Sequence, residues 1–162
     1  MDVSRFRHTD SITIGRAPEE VYDLVADISG MGRLSPVCVA GEWDDPSTGA
    51  APGAWFTGHN KIGEFGWSTK CRVDVAKRGA EFTFVNCGGA GDVELVQWGY
   101  TFAPVDGGTE VVESWQVLPA YPGFVKSGNP DADVEARIEG MATMARDGMA
   151  ATLANLKQIA ES

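Results

Sequence analysis

The sequence predicts an α+β domain in which an antiparallel sheet packs against a long C-terminal helix. Apolar residues recur every three to four positions between Pro130 and Ala160, as on one face of a helix. Over about eighty residues after Pro36, apolar residues recur at every second position, as in β-strands. Short turns, with no helices between them, join these strand-like segments. We therefore expect residues 1–162 to form one domain, since a chain of this length builds a single core.

The N-terminal part of the chain predicts one strand and two short helices. Ser11–Ile14 alternates polar and apolar residues and indicates a strand. Pro18, followed by two glutamates, is typical of a first helical turn because its missing N–H is not needed there. We expect a second short helix over Met31–Leu34, ended by Pro36.

Six further segments have the period of two that indicates β-strands. In Trp67–Val75 the odd-numbered residues are predicted to share the inward face, while Ser68 to Asp74 provide a polar outward face. In Ala54–Ile62 we expect Phe56 to point inward, since the opposite phase would bury Lys61. The six segments are Val37–Asp44, Ala54–Ile62, Trp67–Val75, Glu81–Cys87, Val93–Ala103 and Thr109–Leu118.

The C-terminal helix is predicted to begin at Pro130, with Asn129 as its cap. About thirty residues give a helix on the order of 45 Å long. One narrow apolar stripe runs along it, so the helix needs a broad surface to cover that stripe. The stripe consists of Val134, Ile138, Met141, Ala145, Met149, Thr152, Leu156 and Ile159, with Leu153 on its flank.

The inward faces of the strands combine large aromatic residues with a few polar ones. A solid core would have to satisfy those polar groups at a cost of a few kcal/mol each. A cavity between sheet and helix, apolar with a few polar groups, is the alternative, and it is typical of small-molecule sites. For that cavity we predict ligand contacts from Phe56, Asn60, Trp67, Phe84, Asn86, Trp98, Tyr100, Trp115, Met141, Ala145 and Met149.

Several motifs are similar to those of START-like helix-grip (SRPBCC) proteins. Ile12–Ile14 followed by Ala17–Tyr22 resembles the strand and "APxEVW/Y" opening of that superfamily, and the likeness continues through Gly53–Asn60, Gly107–Trp115 and the final helix. The chain looks like the polyketide cyclase/dehydrase and lipid-transport branch. The resemblance implies a curved antiparallel sheet of about seven strands gripping the C-terminal helix, two short helices after the first strand, and a cavity for a lipid, polyketide, quinone, sterol or plant hormone.

Composition excludes several partners. The net charge of −10 argues against nucleic acid and against an anionic membrane surface. No apolar run is long enough to insert stably in a membrane, and no signal peptide is evident, so we expect a cytoplasmic protein, either monomer or homodimer. With three widely spaced cysteines, two histidines and no nucleotide-binding glycine motif, we expect free thiols and neither metal nor cofactor.

Glu113 is the best candidate for a catalytic residue. A carboxyl group among Trp98, Tyr100 and Trp115 should have a raised pKa and serve as a general acid or base. An equally good interpretation gives Glu113 a structural role, accepting hydrogen bonds from neighbouring groups. We expect a protein that binds a hydrophobic small molecule; the alternatives are a polyketide cyclase, aromatase or dehydrase, and a protein-interaction module with a vestigial cavity.

Overall fold

A computed structural model describes all 162 residues, and its centre is one seven-stranded sheet. Every neighbouring pair of strands is antiparallel, in the order β1-β7-β6-β5-β4-β3-β2. The sheet is therefore a meander from β2 to β7, and β1 pairs with the last strand, β7. The sheet leaves β1 and β2 as its edges. The strands are β1 (Arg7–Ile14), β2 (Cys38–Trp43), β3 (Trp55–Ile62), β4 (Phe65–Lys77), β5 (Glu81–Asn86), β6 (Val96–Val105) and β7 (Gly108–Val117).

Four α-helices pack on this sheet: α1 (Pro18–Ala26), α2 (Met31–Leu34), α3 (Tyr121–Gly128) and α4 (Val134–Glu161). α1 and α2 lie where the sequence predicts them. None of the helices combines the length and the hydropathy needed to cross a membrane. The 28 residues of α4 span about 42 Å, so this helix is long enough to run across the sheet.

The predicted start of the C-terminal helix at Pro130, with Asn129 as cap, is wrong. α4 begins four residues later, and its cap is Asp133, whose carboxylate accepts a hydrogen bond from the Ala136 N–H at 3.0 Å. Asn129 instead ends α3, and its side chain accepts from the Asp131 N–H within the connecting turn. An Asx turn and an N-cap use the same side-chain chemistry, so the sequence signal alone does not separate them.

The core consists of two apolar clusters. One, of 18 buried residues, joins α1 and the C-terminal part of α4 to the sheet; it includes Phe82 and Leu156. The other, of 13 buried residues, joins α3 and the N-terminal part of α4 to β6 and β7; it includes Ile138 and Trp115. Trp98 packs against both clusters.

A bulge in β4 corrects the predicted inward face of that strand. Val73 pairs with Phe84, but Val75 pairs with Thr83, so the register shifts between them. Ala76, opposite Phe82, therefore rejoins the core, and Val75 does not belong to the inward face. A bulge inserts one residue without changing the composition of a strand, so the alternating pattern does not reveal it.

Candidate functional site

A cavity of about 210 Å³ lies between the sheet and α4. Both core clusters contribute to its wall, which places it at their junction. Of its 23 lining residues, 14 are hydrophobic. An apolar cavity of roughly 150 Å³ already holds benzene, so this one has room for a ligand of at least one ring.

All of the predicted site residues except Met149 line this cavity. β3 to β7 present nine of them, because alternate side chains of a strand face the same side, and α4 presents Met141 and Ala145. The predicted inward phase of Phe56 in β3 is confirmed, since Phe56 lines the cavity and is 1% exposed. The lining residues that the sequence predicted are Phe56, Asn60, Trp67, Phe84, Asn86, Trp98, Tyr100, Glu113, Trp115, Met141 and Ala145. Their roles as ligand contacts remain predictions.

Met149 does not line the cavity, which corrects its predicted placement. Its side chain is fully buried in the second core cluster. α4 instead turns Met141, Ala145, Gly148 and Thr152 toward the cavity, at steps of three to four residues. The predicted stripe thus covers two surfaces, the core and the cavity wall, which a single apolar sector does not distinguish.

The mouth of the cavity was not predicted from the sequence. It is formed by α2, the segment that follows it, and the middle of α4, which supply Met31, Ser35, Pro36, Val37, Cys38 and Met144. Pro36 and Met144 are the exposed residues of the lining, so the cavity opens between them. Pro36 signalled only the end of a helix, and Met144 lies outside the apolar stripe, so no periodic pattern marked this region.

Beside the mouth, the tip of the β3–β4 hairpin carries exposed apolar side chains. Phe65 is 69% exposed and lies against Trp67, with 5.4 Å between ring centroids. Ile62 pairs with Phe65 across the turn and is also exposed. An apolar path therefore leads from solvent along Trp67 into the cavity.

Glu113 and Tyr100 form a buried polar pair in the cavity wall. They face each other across β6 and β7, and the Tyr100 hydroxyl donates a hydrogen bond to Glu113 Oε2 at 2.9 Å. Glu113 is 2% exposed, and its Oε1 is the one buried side-chain polar atom without a partner. An unsatisfied buried group of this kind needs an explanation, and a ligand is one.

Burial raises the pKa of Glu113 from its ordinary 4.5 to about 8. The hydrogen bond from Tyr100 opposes this rise, and the charge of Asp10, opposite Glu113 on β1, adds to it; the pKa of about 8 is the result of all three effects. Burial, together with the nearby carboxyl of Glu113, holds the pKa of Tyr100 well above its ordinary value. At neutral pH the pair therefore carries no charge.

The two asparagines of the wall form hydrogen bonds with other groups. Asn60 Nδ2 donates to Thr69 Oγ1 at 3.4 Å, and Asn86 Oδ1 accepts from the Gly88 N–H at 2.9 Å. Neither asparagine bonds to Glu113. No lysine, arginine or histidine lines the cavity. The cavity therefore lacks any group that could neutralise an anion.

All three cysteines are free and buried, and two of them, Cys38 and Cys71, line the cavity. Burial raises the pKa of Cys71 to about 12 and also raises that of Cys38. Because the thiolate is the nucleophile and the metal ligand, these thiols are inert at neutral pH. No group of three His, Cys, Asp or Glu side chains is placed to hold a metal ion.

His59 lies on the outward face of β3, away from the cavity. Its Nδ1 is 2.8 Å from Ser68 Oγ, and its Nε2 is 2.8 Å from Glu42 Oε1. None of the three residues lines the cavity. The cluster links β2, β3 and β4 across the outer surface of the sheet.

Comparison with known proteins agrees with this architecture. A family model described as "Polyketide cyclase / dehydrase and lipid transport" matches residues 5–161. Cgl2372, a polyketide-cyclase-like protein of Corynebacterium glutamicum, is 34% identical, with a TM-score of 0.70 over 99% of this chain and 94% of that chain. BexL, a di-domain ARO/CYC from the BE-7585A biosynthetic pathway, is 18% identical, with a TM-score of 0.71 over 96% of this chain and 50% of that chain.

NE0264 of Nitrosomonas europaea is 11% identical, with a TM-score of 0.69 over 96% of this chain and 94% of that chain. A search of curated proteins returned no match. The open antiparallel sheet, the long C-terminal helix and the cavity between them define a helix-grip domain. The chain belongs to the polyketide cyclase/dehydrase and lipid transport family of the START-like (SRPBCC) superfamily.

Proposed function

We propose that this protein binds an uncharged, predominantly apolar small molecule in the cavity between sheet and α4. The observation that carries the proposal is the composition of the cavity wall. The wall is mostly hydrophobic and contains one buried polar pair, Tyr100 and Glu113, in which Glu113 Oε1 has no hydrogen-bond partner. Sites for small molecules have this composition, an apolar enclosure with a few polar groups that orient the ligand. Membership of a family whose model is described by lipid transport is consistent with it.

The charge of the ligand follows from the side chains of the wall. An anionic head group would lose its hydration in the cavity and find no cation there. Glu113 would add like-charge repulsion wherever it is ionised. We therefore expect neutral lipids, alcohols and ring compounds to bind, and the corresponding carboxylates to bind far more weakly.

Tryptophan emission provides a direct test, because Trp67, Trp98 and Trp115 all line the cavity. We expect 1-decanol to change the emission and to saturate, whereas decanoate at pH 9 gives no saturable change up to its solubility. Ala145→Phe fills the cavity from α4 and should abolish the response to decanol. Ala150→Phe places the same side chain on the exposed face of α4 and should not.

A polyketide cyclase is the second candidate, and the Glu113–Tyr100 pair is the observation that favours it. A protonated carboxyl can give its proton to a ketone oxygen while an enol carbon of the same substrate attacks that carbonyl carbon. A carbon–carbon bond and a hydroxyl form, and the proton released by the enol oxygen restores the carboxyl. In a cyclase, Glu113→Gln should leave binding intact and lower turnover by about 10²- to 10⁴-fold.

The three functional classes give different outcomes in these assays. A carrier binds neutral ligands and leaves them unchanged, and a cyclase converts a poly-β-ketone. A protein-interaction module binds none of the probes. Absence of any saturable response while the fold remains intact would overturn the proposal.

A further inference from the structure

The proton on Glu113 has a definite place. Oε2 accepts the hydrogen bond from the Tyr100 hydroxyl, at 2.9 Å. The Tyr100 hydroxyl is the donor of this bond, and the carbonyl oxygen of a neutral carboxyl is a better acceptor than its hydroxyl oxygen. When Glu113 is protonated, the hydrogen is therefore carried by Oε1, the atom without a partner. The cavity wall thus presents a buried O–H donor that lacks an acceptor.

No neighbouring side chain accepts a hydrogen bond from this donor. The titratable or charged groups near it are Tyr100 on β6, Asp10 on β1, and the thiols of Cys38 and Cys71. Tyr100 already donates to Oε2, and no hydrogen bond joins Glu113 to the other three. The residues that α4 turns toward the cavity carry no charge.

We propose that the ligand carries an uncharged acceptor oxygen, such as the carbonyl oxygen of a ketone, that accepts a hydrogen bond from Glu113 Oε1. This inference rests on the proposed function and narrows the ligand to uncharged molecules that place an acceptor oxygen at this point of the cavity wall. Trp98 and Trp115 pair across the strands next to the Tyr100–Glu113 pair, so a flat conjugated ring bearing the carbonyl would contact aromatic surface on the same wall.

Two probes that differ only at the acceptor test the inference: 1-tetralone and tetralin, the same bicycle with and without the ketone. The quantity to measure is the ratio of their dissociation constants, from NMR titrations, in wild type and variants. Comparing this ratio between proteins cancels the difference in hydration of the two probes. At pH 6 we expect the ratio to favour the ketone about tenfold more in wild type than in Glu113→Met, the worth of one buried hydrogen bond.

Glu113→Gln distinguishes a hydrogen-bond donor from a merely structural residue. Its amide oxygen can still accept from Tyr100, and its amide N–H can still donate to a carbonyl. This variant should therefore keep the ketone preference from pH 6 to pH 10. Wild type should lose the preference as the pH passes about 8, where Glu113 ionises and Oε1 becomes an acceptor. The pH profile of wild type needs no substitution, so it holds even if Glu113→Met folds poorly.

The outcomes separate this inference from the proposed function. If tetralin binds and the ketone preference is the same in wild type and Glu113→Met at pH 6, the inference is wrong and the proposed function stands. A preference that increases with pH would mean that the ligand donates to the carboxylate, which also overturns the inference. If 1-decanol binds but neither bicyclic probe does, the inference is wrong and the proposed function stands. If no probe, 1-decanol included, binds up to its solubility while the fold remains intact, both proposals fail.

Discussion

Replacing Glu113 with glutamine should stabilise the protein by an amount that increases with pH. Burial raises the pKa of this carboxyl from 4.5 to about 8, so between these values the folded protein holds a proton that the unfolded chain has lost. The free energy of unfolding then falls as the pH rises through that interval, because deprotonation favours the unfolded state. Glutamine has nearly the same shape and does not ionise, so the variant avoids this loss.

The magnitude follows from the same interval. At about 1.4 kcal/mol per pH unit, the full difference between variant and wild type amounts to about 5 kcal/mol above pH 8. At pH 7 it should be about 3 kcal/mol, and at pH 4, where both side chains are neutral, it should be close to zero. The Tyr100 hydroxyl can donate to the glutamine oxygen as it does to Glu113 Oε2.

Urea unfolding of both proteins at pH 4, 5.5, 7 and 8.5 measures this difference directly. Groups other than Glu113 titrate alike in the two proteins and cancel. Glu110→Gln, on the exposed face of the same strand, is the matched control and should stay within about 0.5 kcal/mol of wild type. A difference that does not change with pH, or a variant less stable than wild type at pH 7, would show that Glu113 is an ionised structural acceptor.

Three further substitutions test the packing of α4. Gly140→Ala should raise the free energy of unfolding by up to about 1 kcal/mol, since an added methyl group meets nothing within 4 Å; a loss would mean that Gly140 has a hidden contact. Met149→Ala should lower the free energy of unfolding, measured by chemical denaturation, by about 2–5 kcal/mol, whereas Met144→Ala, at an exposed position, should lower it by less than about 0.5 kcal/mol. Equal losses would show that Met149 is not a core residue. Asp133→Ala should cost about 1 kcal/mol as the helix cap, more than Asn129→Ala does; the reverse order would restore the predicted start at Pro130.

Much of the cavity wall could be predicted because a strand alternates its faces with a fixed period. Once Phe56 and Trp115 are assigned inward, Asn60 and Glu113 follow on the same side. This alternation no longer predicts the faces where one strand has an extra residue, as at the bulge in β4 that removes Val75 from the inward face. The extra residue is Asp74, which has no partner on β5, and nothing in the residue types distinguishes such a residue from a paired one.

For the helices, prediction from the sequence is limited for a different reason. The apolar stripe of α4 was predicted correctly as a stripe, but it serves both the core at Met149 and the cavity at Met141. Which part faces empty space depends on how the sheet curves beneath it, which is a property of the whole fold. α3 was missed because its eight residues include a proline and two glycines, and they bury only Tyr121 and Val125.

The mouth of the cavity had no periodic signal at all. Ser35 to Val37 connect α2 to β2, and in a connecting segment the direction of a side chain depends on tertiary packing. The pairing of Tyr100 with Glu113 was accessible in principle, since both were assigned inward on adjacent strands. Whether Asn60, Asn86 or Tyr100 donates to Glu113 depends on the register of the strands, which puts Tyr100 directly opposite Glu113.

Intermolecular NOEs between bound 1-tetralone and the protein would show whether a neutral ligand occupies the cavity between the sheet and α4. We expect contacts with the indole protons of Trp98 and Trp115 and with the methyl group of Met141, and none with His59 on the outer face of the sheet. Saturable binding with NOEs to the outer face, or with none to these three cavity residues, would contradict this expectation.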